Sequence, residues 1–387
     1  MTAAARYYLD HASTSPTRPE AAEAMIGWLR CPGADPGRVH TEGQAARAAI
    51  EAARQQVAGL LGARPREVVF TSGATEAVNA ATYGAASGRP AATIVCSAVE
   101  HSCVLDSSAR HRRVVAGADR LGRVDAGELL AEAGGAALVH LQWGNHEVGT
   151  LQPVAEVVAA CRERGVLVHV DAAQAAGRVP VDFAATGADL LSVSAHKFGG
   201  PPGIGALLVR RGLRLAPWLV GGAQERARRG GMENLPAIAG FGAAAAAAGA
   251  QMPEEDARAR AQTRRVLALT TEVPGVVAYG DLDRRLPHIA CLGVEGVEAE
   301  AIVLGLDQAG VAVHSGSACS SETLEPSPVL AAMGVEAERS VRVSVGWSTT
   351  DADIEAFCAA FPKVVARLRA LRTAAPVGRR VHPHAPF

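Results

Sequence analysis

Between residues 67 and 209 the chain alternates short runs of β-branched and aliphatic residues with longer Ala-rich runs of helical period. The apolar runs predict strands at Glu67–Thr71, Ala92–Ser97, Ala137–Gln142, Val166–Asp171, Leu190–Ser194 and Gly205–Val209. Apolar spacing near 3.6 predicts helices over Thr75–Ala86 and Val154–Arg164. Strands that alternate with helices imply an α/β fold, a parallel or mixed sheet covered on both faces. Ligands of such sheets bind beyond the carboxyl ends of the strands, so the strand ends are where chemistry is sought first.

The pattern changes after residue 230. Leu235–Ala250 is mostly Ala and Gly, and reads as a close-packed helix too short and too weakly apolar to span a membrane. The polar stretch Gln251–Arg265 reads as the start of a long helix leaving the first unit. Val276–Tyr279, His288–Leu292 and Val341–Val345 read as strands of a smaller α+β region. Residues 15–255 are therefore expected to form a large domain, with 1–14 and 256–372 as a small domain. The tail 373–387, rich in Pro, Arg and His, is expected to be disordered. No internal repeat is visible.

Composition narrows the class. With 387 residues, 49% hydrophobic, 20% charged and a net charge of −1, the chain reads as a soluble globular protein of about two domains. A near-neutral balance argues against nucleic acid as partner. Met1–Asp10 lacks a basic stretch followed by an apolar one, so a cytoplasmic protein off the membrane is expected. The cysteines are Cys31, Cys96, Cys103, Cys161, Cys291, Cys319 and Cys358, with no Cys-x-x-Cys pair. That favours reduced thiols over disulfides and over a metal site.

Of 38 basic residues only two are lysines, Lys197 and Lys363. Arg stays charged and non-nucleophilic, so a lysine retained against this skew marks a place where an amine must lose its proton. Lys363 lies in an amphipathic C-terminal stretch. Lys197 lies in Ser194-Ala195-His196-Lys197, just past a predicted strand. There Lys197 reads as a Schiff-base lysine, with Ser194 and His196 as phosphate ligands. The Gly199–Gly203 run that follows is either a turn or a degenerate dinucleotide loop. A strand rather than a helix comes after it, which counts against NAD.

Three further segments meet at predicted strand ends. Thr71-Ser72-Gly73-Ala74-Thr75-Glu76 is either a plain helix cap or an anion cradle. Asp171, closing a strand, is either another cap or a carboxylate that pairs with a protonated pyridine nitrogen. Cys319 alone among the cysteines sits in a small, polar segment, His314–Thr323, and reads as an exposed nucleophile.

In this order the segments resemble the cysteine desulfurase family of pyridoxal-phosphate enzymes, similar to aminotransferases of fold type I. The resemblance runs from Tyr8-Leu9-Asp10-His11-Ala12 through Thr71–Glu76, Glu100-His101, Glu147–Thr150, Asp171–Gln174, His196-Lys197, Gly221–Arg226 and Ser315–Ser321 with Leu324–Ser327 to Arg342-Val343-Ser344. It spans about residues 7 to 355, and the long segment around Cys319 is similar to the subgroup with an extended catalytic loop. It implies pyridoxal 5′-phosphate held on Lys197, which would also move the substrate α-proton, and His101 stacked on the ring. Asp171 would face the pyridine nitrogen and Gln174 the ring hydroxyl. Thr75, Ser194, His196 and the Ala74–Thr75 backbone would hold the phosphate. Arg342 would take the substrate carboxylate, with Asn145 and His146 near cofactor and substrate. Cys319 would take sulfur from L-cysteine as a persulfide, releasing L-alanine, and pass it to an acceptor protein for iron–sulfur cluster assembly or thiolation. A homodimer is also implied.

The chain departs from the family pattern at three places. His146 stands where the family has Asn, Gly230-Gly231-Met232 stands where it has Ser-Gly-Thr, and Asp35–His40 replaces an Asn-x-Ser-Ser-x-His loop. The first bears on the substrate, and loss of the Thr implies a weaker phosphate grip from the partner subunit. The alternatives are a selenocysteine lyase or another fold-type-I lyase, or a non-catalytic sulfur-transfer scaffold.

Overall fold

The computed structural model describes residues 5–31, 33–89, 91–315 and 326–374. In chain order the first strands are β1 (Tyr7–Tyr8), β2 (Val68–Thr71), β3 (Thr93–Ser97), β4 (Arg112–Ala116), β5 (Leu138–Gln142), β6 (Leu167–Asp171), β7 (Leu190–Ser194) and β8 (Gly205–Val209). The later ones are β9 (Val276–Tyr279), β10 (Ile289–Val294), β11 (Val311–Ala312), β12 (His314–Ser315) and β13 (Ser340–Ser344).

Strands β2 to β8 form a seven-stranded sheet in the order β2-β8-β7-β6-β5-β3-β4. Strand β8 pairs antiparallel with β2 and β7, and the remaining pairs are parallel. The sheet is thus mixed and mainly parallel, as the alternation of strands and helices predicts. Its central strands β5 to β8 are buried along their whole length apart from Leu167, which explains their near-continuous apolar runs. Strand β4 escaped the sequence reading because it is an edge strand that opens on two exposed arginines and shows no apolar run. The strand expected from Glu67 begins one residue later. Glu67 instead ends a 3₁₀ turn, and its carboxylate accepts the Arg64 and Arg211 backbone N–H groups at 2.8 and 3.1 Å.

The sequence placed a helix start at Gln251, and the structure corrects this. One 38-residue helix runs from Leu235 to Glu272, capped by Asn234 Oδ1 on the Ala237 N–H at 3.2 Å, so Gln251–Arg265 is its middle. The polar stretch marks a change of neighbours, not a helix end. The first half packs on helices Pro19–Leu29 and Thr41–Leu60. A Cβ at Gly240 would meet Met25 Cγ at 2.7 Å, and one at Gly242 would meet Ala53 Cα at 2.6 Å. Small residues are needed there because the helices approach too closely for side chains. This helix does have the length and apolar content of a membrane span, contrary to the sequence reading. Its apolar positions, among them Phe241, Ala244 and Ala248, are spent on the core of the large sheet.

The second half of that helix, through Ala259, Val266 and Leu269, joins another core built on the sheet β12-β13-β10-β9. Leu9 belongs to this second core, and β1 pairs with β11 nearby. The closing helix, Asp351–Ala374, covers it with Ile354, Phe357, Phe361 and Val365. That helix takes in the first two residues of the expected tail; residues 375–387 lie outside the described residues.

Candidate active site

The carboxyl ends of β2, β5, β6 and β7 open on a cavity of about 360 Å³. Its lining includes Gly73, Ala74, Thr75, His101, His146, Asp171, Gln174, Ser194, His196 and Lys197, which brings together nine of the residues singled out from sequence, with Gly73. The volume falls in the range that holds a single cofactor-sized molecule.

Lys197 projects from the 3₁₀ turn Ala195–Phe198 that follows β7. Its Nζ donates to the carbonyls of Ala12 at 2.7 Å and Ser13 at 3.0 Å. The first acceptor closes the Tyr8–Ala12 motif near the N-terminus, which the sequence reading noted without a role, and the second follows it directly. Buried Arg178 reinforces the turn by donating to Lys197 O at 2.8 Å and Ser15 Oγ at 2.9 Å. Burial lowers the Arg178 pKa to about 10.

Asp171 closes β6, next to β7. Its Oδ1 accepts from Ser192 Oγ at 3.1 Å and from the Ala173 N–H at 3.0 Å. Gln174 is held at both ends: Nε2 donates to Ala12 O at 2.8 Å, and Oε1 lies 3.2 Å from His288 Nε2.

At the other end of the cavity the helix Ala74–Ala86 presents its N-terminus. A Cβ at Gly73 would lie 3.7 Å from Ser194 Oγ, inside the space between the helix and β7. Glu76 in the first turn accepts the Ser72 N–H at 2.7 Å and pairs with Arg229 at 2.9 Å, which holds its pKa below the ordinary carboxylate value against the pull of burial. His196 is 3.2 Å from Thr14 Oγ1 through Nδ1, and burial beside Lys197 lowers its pKa to about 4. His196 is thus a neutral imidazole. The N–H groups of the helix start, the hydroxyls and this imidazole make this end an anion cradle. The donor set fits a phosphorylated pyridine aldehyde: phosphate at the cradle, ring nitrogen at Asp171, and an amine at Lys197.

His101 caps the helix Ser102–Ser108, taking the Cys103 N–H on Nδ1 at 3.1 Å. Its ring meets that of His146 edge-on, 5.1 Å between centroids. Burial lowers both pKa values, further for His146, which also faces His101, Arg342, Lys197 and His314. Both imidazoles are therefore neutral. Cys103 also lines the cavity, a thiol to which the sequence reading gave no role. Burial, with Asp171 nearby, raises its pKa and keeps it protonated.

Two sequence candidates sit differently from expectation. Asn145 is fully buried outside the cavity lining. Its Oδ1 accepts the Glu147 and Val148 N–H groups at 2.8 and 2.9 Å, and its Nδ2 donates to Val99 O at 3.1 Å, so it holds the turn that presents His146. Arg342 of β13 likewise lies outside the lining. Its Nη1 donates to His146 O at 2.9 Å, and its Nη2 to Asp10 Oδ1 at 3.0 Å and Ser13 Oγ at 2.7 Å. Its buried Nε has no hydrogen-bond partner among the described residues. Cys319 lies in residues 316–325, outside the described residues. On either side of that segment, His314 pairs across β12 with Arg342, and Ser327 Oγ donates to Glu147 Oε1 at 2.6 Å.

A further departure concerns Arg229–Met232. Ahead of it, Glu225, Arg226 and Ala227 are left-handed, with φ of 46°, 60° and 60°. Such residues cost roughly 1–2 kcal/mol each. Buried Glu225 secures the turn by accepting from Arg54 at 2.7 and 2.8 Å and from the Phe70 N–H at 2.9 Å. Met232 is exposed, as are Trp218, Leu219 and Val220.

The aminotransferase class-V family model matches residues 7–357. Over 375 residues the chain is 39% identical to a cysteine desulfurase of Trichormus azollae, covering 94% of each chain. It is 41% identical to an IscS-like cysteine desulfurase of Mycobacterium tuberculosis, covering 95% of this chain and 98% of the relative. Its fold superposes on a NifS-like protein from Rickettsia africae with a TM-score of 0.86 at 30% identity, covering 93% of this chain and 99% of that one. A structure described as SspA in complex with cysteine matches with a TM-score of 0.78 at 30% identity, covering 88% of this chain and 98% of that one. The chain belongs to the class-V aminotransferase family and, within it, to the cysteine desulfurases.

Proposed function

We propose that this chain uses pyridoxal 5′-phosphate to convert L-cysteine to L-alanine, leaving the sulfur as a persulfide on Cys319 for transfer to an acceptor protein. The observation that carries the reading is the meeting of Lys197 Nζ, the Asp171 carboxylate and the helix N-terminus at Ala74 in one cavity. When bound, the cofactor supplies an electron sink for the substrate carbon skeleton.

The chain's own residues do the rest. Thr75, Ser194, His196 and the Ala74–Thr75 N–H groups hold the phosphate. Asp171, fixed by Ser192 and the Ala173 N–H, keeps a negative charge against the pyridine nitrogen. Lys197 takes the proton from the substrate Cα, and the Ala12 and Ser13 carbonyls aim its Nζ. Neutral His101 holds a proton on Nε2 at the cavity, because Nδ1 is spent on the Cys103 N–H. Arg342, braced by Asp10 and Ser13, offers a cation to the substrate carboxylate. Cys319 acts as a thiolate: its sulfur bonds to the substrate sulfur, the carbon–sulfur pair leaves with the carbon skeleton, and a proton completes alanine.

A homodimer fits the exposed Trp218, Leu219, Val220 and Met232 beside the left-handed turn. The six described cysteines are free, which suits a reducing cytoplasm. The test is incubation with L-cysteine, with sulfide and alanine both measured. Cys319→Ala is expected to keep the yellow cofactor and lose turnover. Full activity of that variant with a dithiol present would remove Cys319 from its role. Comparison of cysteine with selenocysteine separates a desulfurase from a selenocysteine lyase.

A further inference from the structure

Glu100 precedes His101 in the turn that leaves β3, and the roles assigned above leave it unused. It is fully buried. Its Oε1 accepts from Ser97 Oγ, at the end of β3, at 2.7 Å and from the Gln142 N–H, at the end of β5, at 3.0 Å. The neighbouring Val99 carbonyl accepts from Gln142 Nε2 at 2.7 Å and from Asn145 Nδ2 at 3.1 Å. The His101 turn is thereby fastened to the end of β5 and to the turn that carries His146. Glu100 Oε2 is buried with no hydrogen-bond partner, and no cation pairs with the carboxyl among the described residues.

An ionised carboxylate in that setting would be an unpaired buried charge with one oxygen bare, among the costliest arrangements a fold can hold. The titratable groups that face it make matters worse. Asp171 on β6 adds a like charge, and Cys96 of β3 and Cys103 of the following helix are thiols that Glu100 would further oppose. His101, the adjacent residue, is a neutral imidazole.

We propose that Glu100 works as a neutral carboxylic acid, a positioning residue that clamps the His101 turn onto β5 without adding a second negative charge beside Asp171. The proton sits on Oε2, since Oε1 is already an acceptor twice. Burial, with Asp171 nearby, raises the pKa to about 8, in keeping with the geometry. This inference rests on the roles proposed for His101 and Asp171, but the protonation of Glu100 can be measured without them.

Glu100→Gln keeps the accepting oxygen and places an uncharged NH₂ where the O–H stands. Two readouts on the wild-type and Glu100→Gln holoenzymes test the proposal. The first is the infrared difference spectrum between them, in which a protonated-carboxyl band is expected at pH 7 and is expected to fade above pH 8. The second is the melting temperature across pH 5 to 9. A carboxyl with a raised folded pKa contributes stability below its unfolded pKa, about 4.3, and loses it as pH rises towards 8. Glu100→Gln has no such loss, so its melting temperature should gain on the wild type steadily from pH 5 to 8 and then level off. Its turnover at pH 7 should stay within a few-fold of wild type, while Glu100→Ala, which lacks the clamp, should lose most of it. A missing carboxyl band at pH 7, or a Glu100→Gln melting difference that is the same at every pH, would overturn the proposal. Neither outcome depends on whether L-cysteine is the substrate.

Discussion

The two sheets bury very different things. Beneath the cavity, the seven-stranded sheet encloses Glu100, Asp171, His140 and His169, all buried. His140 and His169 face each other across β5 and β6 through their Nδ1 atoms at 2.9 Å, and His140 Nε2 lies 3.0 Å from Thr82 Oγ1. The four-stranded sheet and its helices instead enclose Leu292, Val341, Ile302, Phe357 and Phe361. A buried polar group costs stability unless its partners are fully supplied. The large sheet carries that cost where the cavity needs fixed charges and donors. The small sheet carries it mainly at β13, where Ser340, Arg342 and Ser344 are buried. It reaches the site through Arg342 of β13, whose guanidinium bridges to Asp10, Ser13 and the His146 carbonyl.

The contrast breaks most sharply at Lys197. Lys197→Ala should lower turnover on the order of 10³-fold or more, since both covalent attachment and proton transfer are lost. It should also remove the borohydride-reducible chromophore while leaving the melting temperature of the small-sheet core in place. Phe361→Ala is the opposite experiment. Phe361 is fully buried, with its ring 5.2 Å from that of Phe357. The truncation should cost about 3–5 kcal/mol of stability in denaturant titrations. The cofactor spectrum of the protein that remains folded should not change.

Arg342→Lys tests the point where the regions meet. Lysine keeps the charge but lacks the fork that reaches three partners at once. An increase in KM for cysteine corresponding to about 2 kcal/mol is expected, with a smaller change in kcat. Part of the acid limb of stability should come from the large sheet. Burial lowers the His140 pKa to about 3 and that of His169 well below the ordinary value. Below pH 6.5 the unfolded chain binds protons that the folded one refuses, so stability falls as pH drops, by about 1.4 kcal/mol per unit for each such histidine. His140→Gln should shrink the stability difference between pH 7.5 and 5.5 by about that amount, whatever its absolute stability. Met232→Thr is the smallest change. It introduces the hydroxyl of the family pattern at the proposed dimer seam, and should tighten cofactor retention in dialysis by no more than about tenfold.

Much of this site is local and therefore legible. Asp171 and Ser194 end strands whose apolar runs are plain in the sequence, and Lys197 stands out as one of two lysines. What was not legible is held by contacts across the chain. The carbonyls that aim Lys197 come from residues 12 and 13, and the brace on Arg342 comes from residues 10 and 13. Asn145 reads as a site residue from its motif, yet its amide is consumed by backbone N–H groups two and three residues on. Gln251 reads as a helix start because polarity rises there, although the helix only changes neighbours. The left-handed turn at Glu225–Ala227 carries no glycine, and Glu225 is held there by Arg54, 171 positions away.

The account turns on where the sulfur goes. Mass spectrometry of the protein after brief exposure to L-cysteine, with peptides mapped under non-reducing conditions, reads this directly. A mass increase of one sulfur atom on the peptide that contains Cys319, absent in Lys197→Ala, is the predicted result. Sulfur found on Cys103 instead, or release of sulfide with no adduct at Cys319, would contradict it.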